Sequence, residues 1–400
     1  MSGLRFAQRC ACALIAVLAI FMIPCGAAFA APRSVPFGLF GVTVDPQIPQ
    51  YASPAALDAQ MALMARSGVE SLRTNFFWPS IEPGRGRYTW RATDQVVHAA
   101  AVHGLQLLPI IEYTSPWASS HHGAQSALYA PAHMSTFAAF VSALVKRYGP
   151  SGSFWRLPGN HGLHDPIHDW QIWNEPAGTW DWRSKPWDKA YGALLAAGYR
   201  AIHRADRHAV VVSGALVGTA AGLTPWSEAA SLYRHGLSRY SDAIAVNAYT
   251  GSPSVSNSVA RSLKIVQYLR QVMNAHGDAA KPIWVTEVTW SGGLGKLAPQ
   301  DLIDIETTPR GQAQRLALYY RTVAQQRPWG IQRAFWYTWG SEYQRTFAFG
   351  IAATFQFTGL GEWRHSVPFT PLPLLSTYAA AAAKFEGCRK SSNARRCRSG

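Results

Sequence analysis

The stretch Trp170-Gln171-Ile172-Trp173-Asn174-Glu175-Pro176 decides how this chain is read. An apolar, aromatic run of β character carries one carboxylic acid, Glu175, at its end. Pro176 has no N–H to offer a strand ladder, so pairing stops there and leaves the carboxylate at the rim of a sheet. A second stretch, Pro282-Ile283-Trp284-Val285-Thr286-Glu287-Val288-Thr289-Trp290, repeats the arrangement downstream, with Glu287 closing a short β run. Two acids delivered at separate strand ends form a pattern for paired acid–base chemistry.

Around these two stretches, short β-type runs alternate with helical patterns. Candidate strands cover 37–44, 69–75, 105–112, 169–174, 209–214, 243–248, 282–287 and 331–338. Between them, Phe137, Val141, Leu144 and Tyr148 share a helical face before Gly149-Pro150 ends the pattern. Val259, Leu263, Val266 and Met273 recur in the same way before Gly277, and a last helix covers residues 372–385. Strand–helix units in series imply a parallel sheet with right-handed crossovers, and eight of them close into a (β/α)8 TIM barrel. The expected fold class is therefore α/β, with one catalytic domain over 35–387. A doubly wound open sheet is the runner-up, but no glycine-rich phosphate loop follows the first strand. The loops after strands two, three, four, seven and eight are long and rich in Trp, Pro, His and Gly. Barrel enzymes build their sites from those loops. Residues 342–371, after strand eight, read as a small β-type insertion over the barrel mouth.

Composition sets further bounds. The chain has 400 residues, 48% of them hydrophobic, and a formal net charge of +15. Its 16 tryptophans exceed what packing alone needs and suit a site that grips flat apolar faces, with an aromatic-rich barrel interior as the alternative. Arg5 and Arg9 precede the apolar run 13–23, and Ala28-Phe29-Ala30 fits a small-x-small cleavage pattern, so residues 1–30 read as a signal peptide. The expected protein is secreted, extracellular or periplasmic, and soluble once that segment is removed. Cleavage removes two arginines and no acids, leaving +13, a charge suited to association with anionic cell-surface polymers. Residues 388–400 read as a basic, flexible tail in which Cys388 and Cys397 can close a small loop under oxidising conditions. No nucleic-acid motif accompanies the charge, and neither a metal set nor a cofactor motif is present.

The two acids differ in setting. Asn174 and Glu175 are adjacent, so a regular strand would point them to opposite faces. Both reach one pocket only if the strand ends in a bulge or turn. Ile283, Val285 and Glu287 alternate on one face, which is expected to set two branched residues in the barrel beneath a single acid. A structural ion pair is the competing reading of Glu287.

With these residues in place, the two motifs resemble those of the retaining glycoside hydrolases of clan A, families 5 and 39 in particular. The resemblance runs from residue 37 to the last helix. It implies that Glu175 is the general acid/base, that Glu287 is the nucleophile, and that Asn174 bonds the 2-hydroxyl of the sugar being cleaved. It further implies that Arg73, ending the second strand, lies near the nucleophile, where a fixed cation keeps a carboxylate ionised. Tyr249 matches the tyrosine that donates to the nucleophile, although this chain has Asn247 where the families often have histidine. Trp339 matches the aromatic platform beneath the sugar, with Trp336 as the competing choice. Retention calls for carboxyl groups roughly 5–5.5 Å apart, against about 6.5–9.5 Å for inversion.

Trp117 and Trp290 read either as further sugar subsites or as loop anchors. His161, His164 and His168 lie in the loop before the fourth strand and His121 and His122 in the previous loop, and they read as surface or substrate-facing groups rather than metal ligands. The leading expectation is a secreted glycosidase acting on a poly- or oligosaccharide without a cofactor. A barrel that binds polysaccharide without cutting it is the alternative, and a transglycosylase using the same residues is a third.

Overall fold

The computed structural model describes residues 32–44, 53–218, 222–296, 305–341, 357–364 and 367–398. The proposed signal peptide and parts of the loops after β1, β7 and β8 lie outside the described residues. Eight parallel strands form the central sheet: β1 (Phe40–Thr43), β2 (Ser71–Phe77), β3 (Gln106–Glu112), β4 (Asp169–Ile172), β5 (Val210–Val212), β6 (Ile244–Asn247), β7 (Ile283–Val288) and β8 (Ile331–Tyr337). Neighbours run β5-β4-β3-β2-β1-β8-β7-β6. Parallel bridges Val212↔Ala243 and Leu216↔Val246 join the two ends, closing the sheet into a (β/α)8 barrel.

Among the described residues eight long helices surround it: α1 (Pro54–Arg66), α2 (Arg91–Val102), α3 (Met134–Tyr148), α4 (Trp187–Ala205), α5 (Pro225–Tyr233), α6 (Val255–Ala275), α7 (Pro309–Gln326) and α8 (Pro373–Glu386). Four of them start with a side chain that satisfies an orphan N–H group. Ser53 accepts from the Ala56 N–H, Thr308 from Gly311, and Thr224 with Ser227 forms a reciprocal capping pair. The faces expected from periodicity are buried, Phe137, Val141, Leu144 and Tyr148 on α3 among them.

The barrel interior is layered. At its N-terminal end Arg333 donates to Asp169 Oδ2, Ser71 Oγ and Gln106 Oε1, each at 2.8 Å, and lies over the Trp284 ring. Above this polar layer Leu108, Val212, Ala243, Ala245, Trp284 and Phe335 form a separate apolar cluster inside the barrel. Gly41 makes room for it, since a Cβ there would meet the Phe335 ring at 2.5 Å. Above that again stand Arg73, Gln171, Asn247 and Thr286, all essentially buried.

The inward face of β7 is the reverse of the one expected from its alternation. Ile283 and Val285 pack into the large outer cluster with the helices, whereas Trp284 fills the interior. Glu287 still enters the barrel because β7 carries an extra residue near its end. Val246 pairs Val285 while Asn247 pairs Glu287, and on the other edge Val285 pairs Ala334 while Val288 pairs Trp336. The bulge turns both Thr286 and Glu287 inward.

After β8, β9 (Gly340–Ser341), β10 (Gly361–Arg364) and β11 (Val367–Pro371) form a small sheet, in the region where an insertion was expected. The C-terminal segment expected to be flexible instead docks on the barrel. Its β12 (Arg389–Lys390) and β13 (Cys397–Arg398) form a hairpin. Ala394 N–H donates to the His103 carbonyl at 2.7 Å and Arg395 to Asp165 at 2.7 Å, while Cys388 is disulfide-bonded. Hydrogen bonds to α2 and the loop before β4 offset the cost of ordering this short chain end. Among the described residues no helix is long and apolar enough to cross a membrane.

Candidate active site

Two local departures from regular β structure build the site. On β4 the Trp173 N–H still pairs with the Ile111 carbonyl, but Trp173 has φ 68° and Glu175 φ 41°. Left-handed backbone at bulky residues is costly and persists where the surroundings impose it. The turn takes Asn174 and Glu175 to the same pocket, the outcome that adjacency on a regular strand forbids. On β7 the bulge does the same for Glu287.

Arg73, 1% exposed, joins the two strand ends. Its Nη1 donates to Glu287 Oε1 at 2.7 Å, its Nη2 to Asn174 Oδ1 at 2.9 Å and its Nε to Gln171 Oε1 at 2.8 Å. The Tyr249 hydroxyl donates to the other oxygen of Glu287. Glu287 is thus the ion-pair partner of a buried guanidinium with both oxygens engaged.

Glu175 has neutral partners only. Asn247 Nδ2 donates to its Oε1 at 2.7 Å, and the indole N–H of Trp180 donates to its Oε2. Asn247 is itself held by the Thr286 hydroxyl at 2.8 Å. Burial, then the charges of Glu287 and Asp181, push the Glu175 carboxyl up to about 8, against the two hydrogen bonds. Glu175 therefore carries its proton at neutral pH.

Two further carboxyls converge on this pocket, and sequence reasoning missed both. Glu112 ends β3 and accepts from Asn75 Nδ2. Burial pushes it up to about 8, reinforced by Glu175 and Glu287 and opposed by Asn75 and Arg73. Asp181 accepts from Tyr113 at 3.0 Å and from Asn174 at 3.1 Å. Burial and the Glu112 charge hold it well above the usual carboxylate range. The signal for Glu112 was present, because Gln106-Leu107-Leu108-Pro109-Ile110-Ile111-Glu112 is a third β run closing on an acid. Asp181 and Trp180 lie in a loop whose path no local pattern specifies.

The aromatic candidates separate. Trp339 is fully buried, donating to Gln60 Oε1 at 2.8 Å and stacked on Phe369, and Trp336 is buried among the helices. The β8 aromatic beside the site is Tyr337, edge-on to Tyr249 with centroids 6.5 Å apart. Its place follows from alternation, since Arg333 and Phe335 lie in the interior layers below. Trp290 is buried and donates to the Thr250 carbonyl, and half-buried Trp117 donates to the Glu82 carbonyl, so both anchor loops. Trp180, 38% exposed, presents an open ring beside Glu175. The histidines lie elsewhere: His164 bonds the Pro150 carbonyl, His168 pairs with Asp206, and His121 stacks on Tyr129. Among the described residues no group of three His, Cys, Asp or Glu side chains is placed to hold a metal.

Fold and site together define a (β/α)8 barrel with paired glutamates at the C-terminal ends of β4 and β7, the face on which such barrels carry their chemistry. Solved glycoside hydrolases of families 39 and 5 share this fold. A family 39 glycoside hydrolase from the gut symbiont Bacteroides cellulosilyticus WH2 superposes with a TM-score of 0.60 at 20% identity, over 88% of this chain and 64% of that one. A glucosidase from Croceicoccus marinus gives 0.62 at 14% identity, over 89% and 69%. A monomeric beta-xylosidase from Caulobacter crescentus CB15 gives 0.60 at 17%, over 88% and 69%. The chain thus spans about two thirds of the length of these enzymes. No protein-family model matches the chain, and no curated protein matches it.

Proposed function

We propose that the chain is a glycoside hydrolase that cleaves O-glycosidic bonds of a poly- or oligosaccharide by double displacement with retention. The observation that carries this reading is the contrast between its two central carboxyls. Glu287 is paired with Arg73, whereas Glu175 has neutral partners and is pushed up to about 8. This contrast in partners supports Glu175 as the acid and Glu287 as the nucleophile.

In the first step protonated Glu175 gives its proton to the glycosidic oxygen as the bond from that oxygen to the anomeric carbon breaks. The Glu287 carboxylate attacks the anomeric carbon, and the leaving alcohol departs from a glycosyl ester. In the second step ionised Glu175 takes a proton from water, whose oxygen attacks the same carbon and releases Glu287. Asn174, fixed by Arg73 and Asp181, is the hydrogen-bonding group for the 2-hydroxyl. Tyr337 supplies the apolar surface at the reacting sugar, and Trp180 the surface on the leaving-group side.

Export is part of the proposal. It is supported by the apolar N-terminal run behind Arg5 and Arg9 and by the disulfide at Cys388, a bond favoured outside the cytosol. The decisive experiment incubates the protein with activated 2-deoxy-2-fluoro glycosides, which form the ester but release it slowly. Mass spectrometry is expected to find the sugar on the peptide containing Glu287. A panel of polysaccharides and aryl glycosides showing no cleavage dependent on Glu175 and Glu287 would favour a barrel that binds sugar without cutting it.

A further inference from the structure

We propose that Glu112 reads the hydroxyl groups of the sugar bound beside Glu287, and that this subsite takes an uncharged sugar and turns away a uronate; this rests on the glycosidase reading. Three observations carry it.

The first is position. On β3, Gln106 and Leu108 lie in the two lower interior layers, and alternation places Ile110 and then Glu112 above them in the same inward row. Glu112 thus stands at the pocket rim with Asn75 of the adjacent strand, and it is 2% exposed.

The second is an unmet acceptor. Asn75 occupies Oε2 of Glu112, and no described residue donates to its Oε1. Oε1 is still reached by solvent, so the carboxyl keeps an acceptor open to a ligand donor. Glu112 is also pushed up to about 8, chiefly by burial, so near neutral pH it can accept from one sugar hydroxyl or donate to another.

The third is charge. Glu112, Glu175, Asp181 and Glu287 converge on one pocket, and Arg73 is the one cation that pairs with any of them among the described residues. Each of its three nitrogens already donates to a protein acceptor. The burial that pushes Glu112 and Glu175 up to about 8 opposes an ionised sugar carboxylate in the same way, and the one guanidinium that the described residues bring to the site is already paired with Glu287. An uncompensated charge brought into such a buried site costs about a hundredfold or more in recognition. The overall basic charge of the chain, which would suggest an anionic substrate, does not extend to this pocket.

The test compares wild type, Glu112→Gln and Glu112→Ala on 4-nitrophenyl glucoside, xyloside, mannoside, galactoside and glucuronide. At least one neutral glycoside is expected to exceed the glucuronide about a hundredfold in kcat/KM. Glu112→Ala should lose about tenfold to a hundredfold on that neutral substrate, with Glu112→Gln recovering part of the loss. Saturation-transfer NMR with Glu287→Gln gives a readout independent of turnover. It should bind neutral hexasaccharides (of glucose, xylose or mannose) but not oligogalacturonate, and the added Glu112→Ala change should weaken that binding. Wild-type kcat/KM in both Glu112 variants, preference for the glucuronide, or no neutral-sugar binding overturns the inference. If Glu112-dependent binding occurs but nothing is cleaved, the glycosidase reading fails and this one stands. Circular dichroism and melting curves confirm that each variant is folded.

Discussion

The side-chain amide of Asn247 donates a 2.7 Å hydrogen bond to Glu175 Oε1, and the Thr286 hydroxyl fixes its other end. Asn247 thus links the bulge on β7 to the acid on β4. A donor to the ionised form favours ionisation, so this bond lowers the Glu175 pKa against the stronger effect of burial. Asn247→Ala removes it, and Glu175 should then hold its proton to higher pH. The alkaline limb of kcat/KM, set by loss of the Glu175 proton, should move up by about one pH unit. An unchanged limb, or one moved down, would show that Asn247 does not tune the acid.

Arg73 and Glu287 form a buried pair with almost no solvent access. Glu287→Gln keeps the volume and one acceptor, so the fold should survive while turnover falls about 10⁴-fold or more. Arg73→Met should be worse for stability, because it strips the partner from a buried carboxylate and leaves Asn174 and Gln171 without their donor. A loss of about 3–5 kcal/mol is expected. Denaturant titration of the two variants checks the contrast. Equal stability in both would mean that Arg73 is not holding the strand ends together.

The barrel was legible because strands and helices announce themselves by period, and each expected strand overlaps an observed one. Glu175 and Glu287 were legible as acids on strand ends. Their route into the pocket was not, since it depends on a left-handed turn at Trp173 and a bulge at Thr286 that no local pattern announces. Misjudging the bulge put Ile283 and Val285 inside the barrel when Trp284 belongs there. A one-residue change of register reverses every face of a strand. Trp339 shows the same limit. Two residues past β8 the alternation that places Tyr337 no longer applies, and packing on Gln60 and Phe369 decides. The tail docked because its backbone met carbonyls of α2, a tertiary fact that a basic composition conceals.

Stability should depend on pH in a direction the site dictates. Burial pushes Glu112, Glu175 and Glu228 each up to about 8. Unfolded glutamates titrate near about 4.3. Between these values the folded state keeps protons that the unfolded state has released, so stability falls as pH rises. Each group contributes a slope of up to about 1.4 kcal/mol per pH unit. Asp188 and Asp278 act oppositely. Burial works against them, but hydrogen bonds led by Ser231 and Ser238 hold both below the usual value. Their contribution is lost as pH falls through their folded pKa. The melting temperature should therefore peak at about pH 4 and decline until about pH 8. Glu112→Gln should flatten the alkaline side, and a slope unaltered by that change would contradict the assignment of Glu112.

Trp180 reaches Glu175 only because residue 178 has no side chain. A Cβ at Gly178 would lie 2.4 Å from Trp180 Cε2 and 2.8 Å from its Nε1. The φ of Gly178 is outside the left-handed region, so alanine meets no backbone strain there and the cost is steric alone. The Trp180 ring is partly exposed and free to yield, so Gly178→Ala should fold with a melting temperature within about 2 °C of wild type. The displaced indole would no longer donate to Glu175, removing a second bond that favours its ionised form. The alkaline limb should again move up, and intrinsic fluorescence should report the altered tryptophan environment. Trp180→Phe keeps the ring and deletes the N–H, so it should reproduce the limb shift without the steric push. Gly178→Ala should in addition raise KM for oligosaccharides more than for aryl glycosides, because only the longer substrates extend across the Trp180 face. If the two variants agree in limb but not in KM, the indole N–H tunes the acid while the ring holds the leaving sugar.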